Sequence, residues 1–168
     1  EEPGTGKLYT TTYYGGTVQK GSLIEYDINT NTFIKKVQFD GASNGAFPIG
    51  ELFKASNGKY YGMTTEGGLY NKGVIYEYDL ASNTLTNKMD FDSITNGSRP
   101  YGGFIEPVPG YLYGMTSTGG SSNYGVVFKY NINTTIYTKI YEFALSMNGY
   151  IPYGTLLKAA DGFLYGNT

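Results

Sequence analysis

Residues Gly110 to Gly125 read Gly-Tyr-Leu-Tyr-Gly-Met-Thr-Ser-Thr-Gly-Gly-Ser-Ser-Asn-Tyr-Gly, and the pattern recurs along the chain. Stepping back 52 residues gives Gly58-Lys59-Tyr60-Tyr61-Gly62-Met63-Thr64, followed by Gly67-Gly68 and Gly73. A second step gives Gly6-Lys7-Leu8-Tyr9, then Gly15-Gly16 and Gly21; a step forward gives Gly162-Phe163-Leu164-Tyr165-Gly166. The chain therefore divides into repeats 6–57, 58–109 and 110–161, with the start of a fourth at 162–168. A strict repeat overrides the ordinary single-core reading that 168 residues would invite.

The composition is that of many short strands joined by tight turns: Gly 25, Tyr 19 and only 15% charged residues. A net charge of -2 and a pI near 5.1 provide no basic field to gather phosphates, so nucleic acid is not an expected partner. No run of apolar residues is long enough to span a membrane as a helix. Cys and His are both absent, which removes disulfides, thiol catalysis, the commonest general base and the commonest transition-metal ligand. The chain begins Glu1-Glu2-Pro3 and stops inside a repeat, and is expected to be a piece of a longer or processed polypeptide.

Apolar residues alternate within each unit and are interrupted by Gly, Asn and Pro at matching places, which predicts four strands per unit. In the middle copy the first is Lys59 to Thr65, ending at the Gly67-Gly68 doublet, where residues without Cβ let the chain turn. The second is Gly73 to Asp79, with Val74, Tyr76 and Tyr78 on one face; a turn at 81–84 leads to the third, Leu85 to Phe91. That strand has a wet face carrying Thr86, Lys88 and Asp90, so it belongs furthest from the centre. An Asn-Gly pair follows in each copy (Asn44-Gly45, Asn96-Gly97, Asn148-Gly149), read as a turn that needs positive φ. Pro48, Pro100 and Pro152 then open a fourth strand (Ile49 to Lys54, Tyr101 to Glu106, Tyr153 to Lys158). Its adjacent apolar residues, such as Leu52-Phe53 and Leu156-Leu157, predict that both its faces are covered.

A sheet wet at one edge and buried elsewhere needs like neighbours on each side. The expected fold is all-β: a β-propeller segment of four-stranded antiparallel blades on a 52-residue repeat. The motif order resembles the kelch type of blade, which implies that the Pro-led strand is innermost and that the chain enters and leaves at the second strand of a blade. The outer-strand Trp of kelch blades is missing here. Over the whole chain, the recurring Leu-Tyr-Gly-Met-Thr, Gly-Gly, Gly-Val-Val-Phe-Lys-Tyr, Tyr-Glu-Phe, Asn-Gly and Pro-Tyr-Gly is similar to the GloVer-type tandem repeat of bacterial surface and secreted proteins. That resemblance implies an extracytoplasmic location, secreted or on the cell surface, and no defined enzyme activity. A ring of six or seven such blades takes roughly 310 to 365 residues. The missing blades are expected from the same longer polypeptide, with a second copy around a two-fold axis as the alternative.

In a meander the Gly-Gly and Asn-Gly loops fall on one face, and their tips differ between copies. Tyr13 and Tyr14, then 69–72, then 121–124 occupy the tips, with Phe47, Arg99 and Tyr150 beside them. Exposed Tyr offers flat apolar area at low entropy cost and amides offer paired donors and acceptors, so a glycan or partner protein is the expected ligand. The candidate contacts are Tyr14, Tyr70, Asn71, Arg99, Asn123, Tyr124 and Tyr150. Tyr61, Tyr113 and Tyr165 read as core. No cofactor or metal is expected, since Asp40 and Asp92 have Ala144 as their third counterpart and no oxygen-rich calcium loop surrounds them. Glu25, Glu77 and Lys129 share one repeat position with changing sign and read as solvated surface, and no Ser is tied to a base, so catalysis is not expected. The functional expectation is a non-catalytic binding propeller, with a displayed structural subunit as alternative and a glycosidase or lyase domain as a third, weaker reading.

Overall fold

The computed structural model describes residues 4–145 and 149–168. Its regular elements are strands, arranged in four antiparallel meanders. The first sheet holds β1 (Lys7–Thr12), β2 (Ser22–Asp27) and β3 (Thr32–Gln38). The second holds β4 (Ala46–Lys54), β5 (Tyr60–Glu66), β6 (Val74–Asp79) and β7 (Thr84–Asp90). The third holds β8 (Ile105–Val108), β9 (Tyr111–Thr116), β10 (Val126–Asn131) and β11 (Tyr137–Glu142), and the last β12 (Tyr153–Lys158) and β13 (Leu164–Asn167). The sheets are out of phase with the sequence repeat, because each Pro-led strand pairs with the strand that follows it, β4 with β5 and β8 with β9. Two sheets thus have four strands, the flanking ones have three and two, and the ring is open.

The Asn-Gly turns carry the chain from the outer strand of one sheet to the inner strand of the next. Gly45 and Gly97 adopt φ of 84° and 85°, as such turns require. The Asn44 amide oxygen accepts from Asp40 N at 2.7 Å while its nitrogen donates to Gln38 O at 3.1 Å, and Asn96 repeats this with Asp92 and Asp90. Asn148 lies outside the described residues. Asp40 and Asp92 accept from the backbone and hydroxyl of Ser43 and Thr95, so their carboxylates close their own loops.

Between the second and third sheets lies the main core, built on Tyr61, Met63, Ile75 and Phe91 from one side and Phe104, Leu112, Phe128 and Tyr130 from the other. Phe128 is its centre: its ring lies 5.8 Å from Phe91, 6.3 Å from Phe104 and 5.0 Å from Tyr137. Directly across the ladder from Phe128 stands Gly114, as Gly62 stands across from Tyr76, and a Cβ at either glycine would meet the ring. The recurring Tyr-Gly therefore makes room for an aromatic; in the first sheet, Thr10 faces the smaller Ile24 instead.

Three sequence expectations are corrected. Glu25 and Glu77 are buried, at 2% and 8% exposure, rather than solvated. Glu25 is paired with Lys7 at 2.7 Å and Lys36 at 3.4 Å and accepts from the Tyr9 hydroxyl; Glu77 is paired with Lys59 at 3.0 Å and Lys88 at 3.8 Å and accepts from Tyr61. A β-bulge in each outer strand, marked by the register shifts at Leu23/Ile24 and Ile75/Tyr76, leaves Lys36 and Lys88 as the extra residues and turns them back onto the carboxylates. In the third sheet the three positions change together: Lys129 lies 5.6 Å from the Tyr111 ring and Ile140 takes the bulge.

The fourth strand of the unit is less covered than its apolar pairs predict. Glu51, Leu157 and Tyr153 are exposed, and β8 begins only at Ile105, with 101–104 outside any strand. The inner strands nevertheless approach one another closely: a Cβ on Gly50 or Gly102 would overlap the carbonyl of Gly102 or Gly154, and Gly103 N donates to the Thr155 hydroxyl at 2.7 Å. Tyr61 is fully buried as expected of core, but Tyr165 is 52% exposed, its sheet having no outer strands to cover it.

One repeat position gives a stability prediction. Tyr26 and Tyr78 donate to Asn31 and Asn83 at 2.7 Å and 2.8 Å, but Thr135 occupies that place in the third copy and, among the described residues, the buried Tyr130 hydroxyl has no hydrogen-bond partner. Burial pushes the Tyr130 hydroxyl up to about 12. Thr135 also sits at φ 59°, where a β-branched residue is strained and Asn is tolerated. Thr135→Asn is expected to stabilise the protein by about 1–2 kcal/mol, read as a melting temperature higher by roughly 2–8 °C.

Candidate functional site

Loops at one end of the sheets are bound to one another. Gly68 N donates to Gly41 O at 2.9 Å and Gly120 N to Ser93 O at 2.6 Å, which seats each Gly-Gly loop against the Asn-Gly loop leading into its own sheet. Neighbouring sheets are stitched by a second set: Phe47 N to Lys20 O at 2.8 Å, Arg99 N to Lys72 O at 3.1 Å and Ile151 N to Tyr124 O at 3.0 Å. Phe47, Arg99 and Ile151 adopt φ of 57°, 51° and 56° at these joints. The face is thus divided into three seams, each with its own tip residues.

The tips are held from within. The last residue of each outer strand caps its loop: Gln38 accepts from Thr17 N at 2.8 Å, Asp90 from Leu69 N at 2.7 Å, and Glu142 from Ser121 N and Ser122 N. Lys139, 2.6 Å from Glu142, together with the Ser121 donors, holds that carboxyl down at about 2. Asn71 and Asn123, at φ 54° and 60°, accept from Gly67 N at 2.9 Å and Gly119 N at 3.0 Å through their side-chain oxygens. Both amides therefore close the loop that carries them.

The seven candidate contacts do not converge on one spot. Tyr14, 65% exposed, belongs to the first seam, where its ring meets Tyr13 and Phe47, Tyr13 stacks on Phe47 at 5.1 Å and Lys20 lies over Phe47 at 4.6 Å. Tyr70, Asn71 and Arg99 belong to the second; Tyr70 is 54% exposed and, among the described residues, Arg99 makes no ion pair. Asn123, Tyr124 and Tyr150 belong to the third, with Tyr124 and Tyr150 edge to face at 5.3 Å. Sequence reasoning missed Tyr101 and Tyr153, whose rings lie 4.9 Å apart. Burial pushes the Tyr101 hydroxyl up, Tyr153 adds to this and Arg99 opposes it, which ties the pair to the second seam. The signal was present in the aromatic that follows Pro100 and Pro152, but it was absorbed into a strand expected to be covered.

This frame of meanders, joints and capped tips is repeated unit by unit, and so is the sequence profile that fits it: that of the Gloeobacter/Verrucomicrobia repeat matches residues 2–168. The chain belongs to that repeat family. Among solved structures, this Gloeobacter/Verrucomicrobia repeat segment is similar to TolB from Acinetobacter baumannii, with 19% identity and a TM-score of 0.54 over 96% of this chain and 34% of that one. It is also similar to the extracellular domain of the putative hybrid two component system BT3049 from B. thetaiotaomicron, with 14% identity and a TM-score of 0.64 over 98% of this chain and 20% of that one. The repeat segment spans about a third and a fifth of those chains. At such identities the likeness concerns the fold, which is all-β and propeller-like. No match was found among curated protein sequences. Among the described residues, no helix is long and apolar enough to cross a membrane.

Proposed function

We propose that the repeat segment is a non-catalytic, extracytoplasmic binding module that recognises a glycan or a partner protein through its Gly-Gly and Asn-Gly loop face. One observation carries this: the tips present exposed aromatics that differ between seams, on loops whose backbone donors are already capped from within. A rigid tip presents its ring without an ordering cost on binding, which is how Tyr gains affinity at recognition surfaces. The family resemblance to bacterial surface and secreted proteins supports the location, and the likeness in fold to an extracellular domain is in keeping with it.

The test is binding to immobilised glycans and capture of partners from the cell surface, with Tyr70→Ala and Tyr124→Ala as probes. Each substitution is expected to weaken binding by about tenfold or more, the loss typical of an exposed aromatic anchor. No sugar binding together with stable co-purification of a large assembly would replace the reading by that of a displayed structural subunit, and polysaccharide turnover would overturn it.

A further inference from the structure

At the end of the sheets opposite the Gly-Gly loops, an open cavity of about 380 Å³ lies between the turn that joins β4 to β5 and the turn that joins β6 to β7. Asn57, Gly58 and Lys59 line one side of it, Asp79, Leu80 and Ala81 the other. All six belong to the second sheet, which packs on a neighbour at each face, through Tyr60 and Tyr78 against the first sheet and through Tyr61 and Ile75 against the third. The repeat shows what the space holds elsewhere. Fifty-two residues before Ala81 stands Asn29, and fifty-two after it Asn133. The three turns share one backbone: Asn29 N, Ala81 N and Asn133 N donate to the side-chain oxygens of Asp27, Asp79 and Asn131 at 2.8, 2.9 and 2.9 Å, and the next backbone N of each turn donates to the same oxygen. Only the side chain differs. Asn29 lays its amide where a Cβ on Gly6 would meet it and donates to the Thr5 carbonyl at 3.3 Å, and the Asn133 amide nitrogen lies 3.0 Å from the Cβ position of Gly110. At Gly58 the same position has nothing within 4 Å, and the Ala81 methyl offers no donor to the carbonyl of Asn57, which stands in the place of Thr5.

We infer that this cavity binds the acetamido group of an N-acetylated sugar. The N–H of that group replaces the Asn amide toward the Asn57 carbonyl, and its methyl packs on Ala81 and Leu80. The remaining lining suits a sugar ring rather than a peptide. One oxygen of Asp79 holds the turn, while the other lies 3.5 Å from the Lys59 ammonium, and both side chains are partly exposed, at 32% and 39%. A carboxylate that accepts beside an ammonium that donates serves vicinal hydroxyls, which an Asn or Gln side chain does not carry. The volume is at the lower end of the range of small-molecule sites, about 300–1,000 Å³. The site lies at the opposite end of the sheet from the loop face and does not depend on it.

The test is titration of the intact chain with N-acetylglucosamine, followed by the backbone amide NMR signals of Gly58, Lys59 and Ala81. Saturable shifts with a dissociation constant of about 1 mM are expected, the strength open to a ligand of that size. Glucose and glucosamine, which lack the acetamido group, should bind about tenfold or more weakly. Ala81→Asn fills the seat with the side chain that both other copies carry, so it should fold and melt no lower than the parent while losing the shifts. Absence of shifts in the parent chain at about 20 mM sugar, well above the expected constant, overturns the inference. So does binding that survives Ala81→Asn, equal binding of glucosamine, or binding of N-acetylasparagine amide as tight as that of the sugar, which would assign the seat to a peptide. Tyr70→Ala and Tyr124→Ala should leave the shifts unchanged; their loss in either variant would move the sugar to the loop face and overturn the assignment to this cavity.

Discussion

Gly102→Ala is expected to lower stability by about 3 kcal/mol, the upper end of the ordinary cost of overpacking, and the melting temperature by roughly 6–12 °C. The added Cβ would overlap the Gly154 carbonyl, an atom of the neighbouring inner strand's backbone that cannot turn aside as a side chain could. Gly102 is not held at positive φ, so the effect isolates space from backbone preference. Gly58→Ala is the matched control: Gly58 has φ +80° but nothing within 4 Å of its Cβ position, so only the conformational cost remains, about 1 kcal/mol. Equal melting temperatures for the two variants would mean that the inner strands do not touch.

The second large effect concerns Glu77. Glu77→Ala removes the acceptor of the Tyr61 hydroxyl and leaves Lys59 and Lys88 facing one another without their shared anion. Breaking a fully buried pair costs about 3–5 kcal/mol. The lysines are 39% and 21% exposed, so screening reduces the expected loss to about 2–3 kcal/mol. The third sheet shows the compensation. Adding Lys59→Tyr, Lys88→Ile and Lys at 77 in place of Ala reproduces the Tyr111, Ile140 and Lys129 set and is expected to recover most of the stability.

The same carboxylates set the response to acid. Burial pushes Glu77 up, but hydrogen bonds from Tyr61 and Lys59 outweigh it and hold the group below its ordinary 4.5; Lys7, with Tyr9 and Lys36, does the same for Glu25. A carboxyl whose folded value is depressed contributes stability above the unfolded value and loses it as pH falls through the folded one. Thermal melting should therefore be flat from neutral pH to about pH 5 and fall below about pH 4.5, and Glu77→Gln should flatten that fall.

The repeat length, the existence of the strands and the turn positions were legible in the amino-acid sequence, because alternation and glycine spacing act within a few residues. The Gly67-Gly68 and Asn96-Gly97 turns stand where their local chemistry puts them, whereas the strand after Pro100 begins only at Ile105. The burial of Glu77 was not legible: its sign change to Lys129 looks like a solvated position until the partners 59 and 88, on other strands, are seen to change with it. Nor could alternation show the bulge that turns Lys88 inward, since one extra residue reverses the face of everything beyond it. The candidate contacts stand on the Gly-Gly and Asn-Gly loops, but tertiary structure alone divided them among three seams and spent the oxygens of Asn71 and Asn123 on closing turns. Local sequence dictates which way a side chain leaves its strand; what waits across the seam is decided only when a second sheet arrives there.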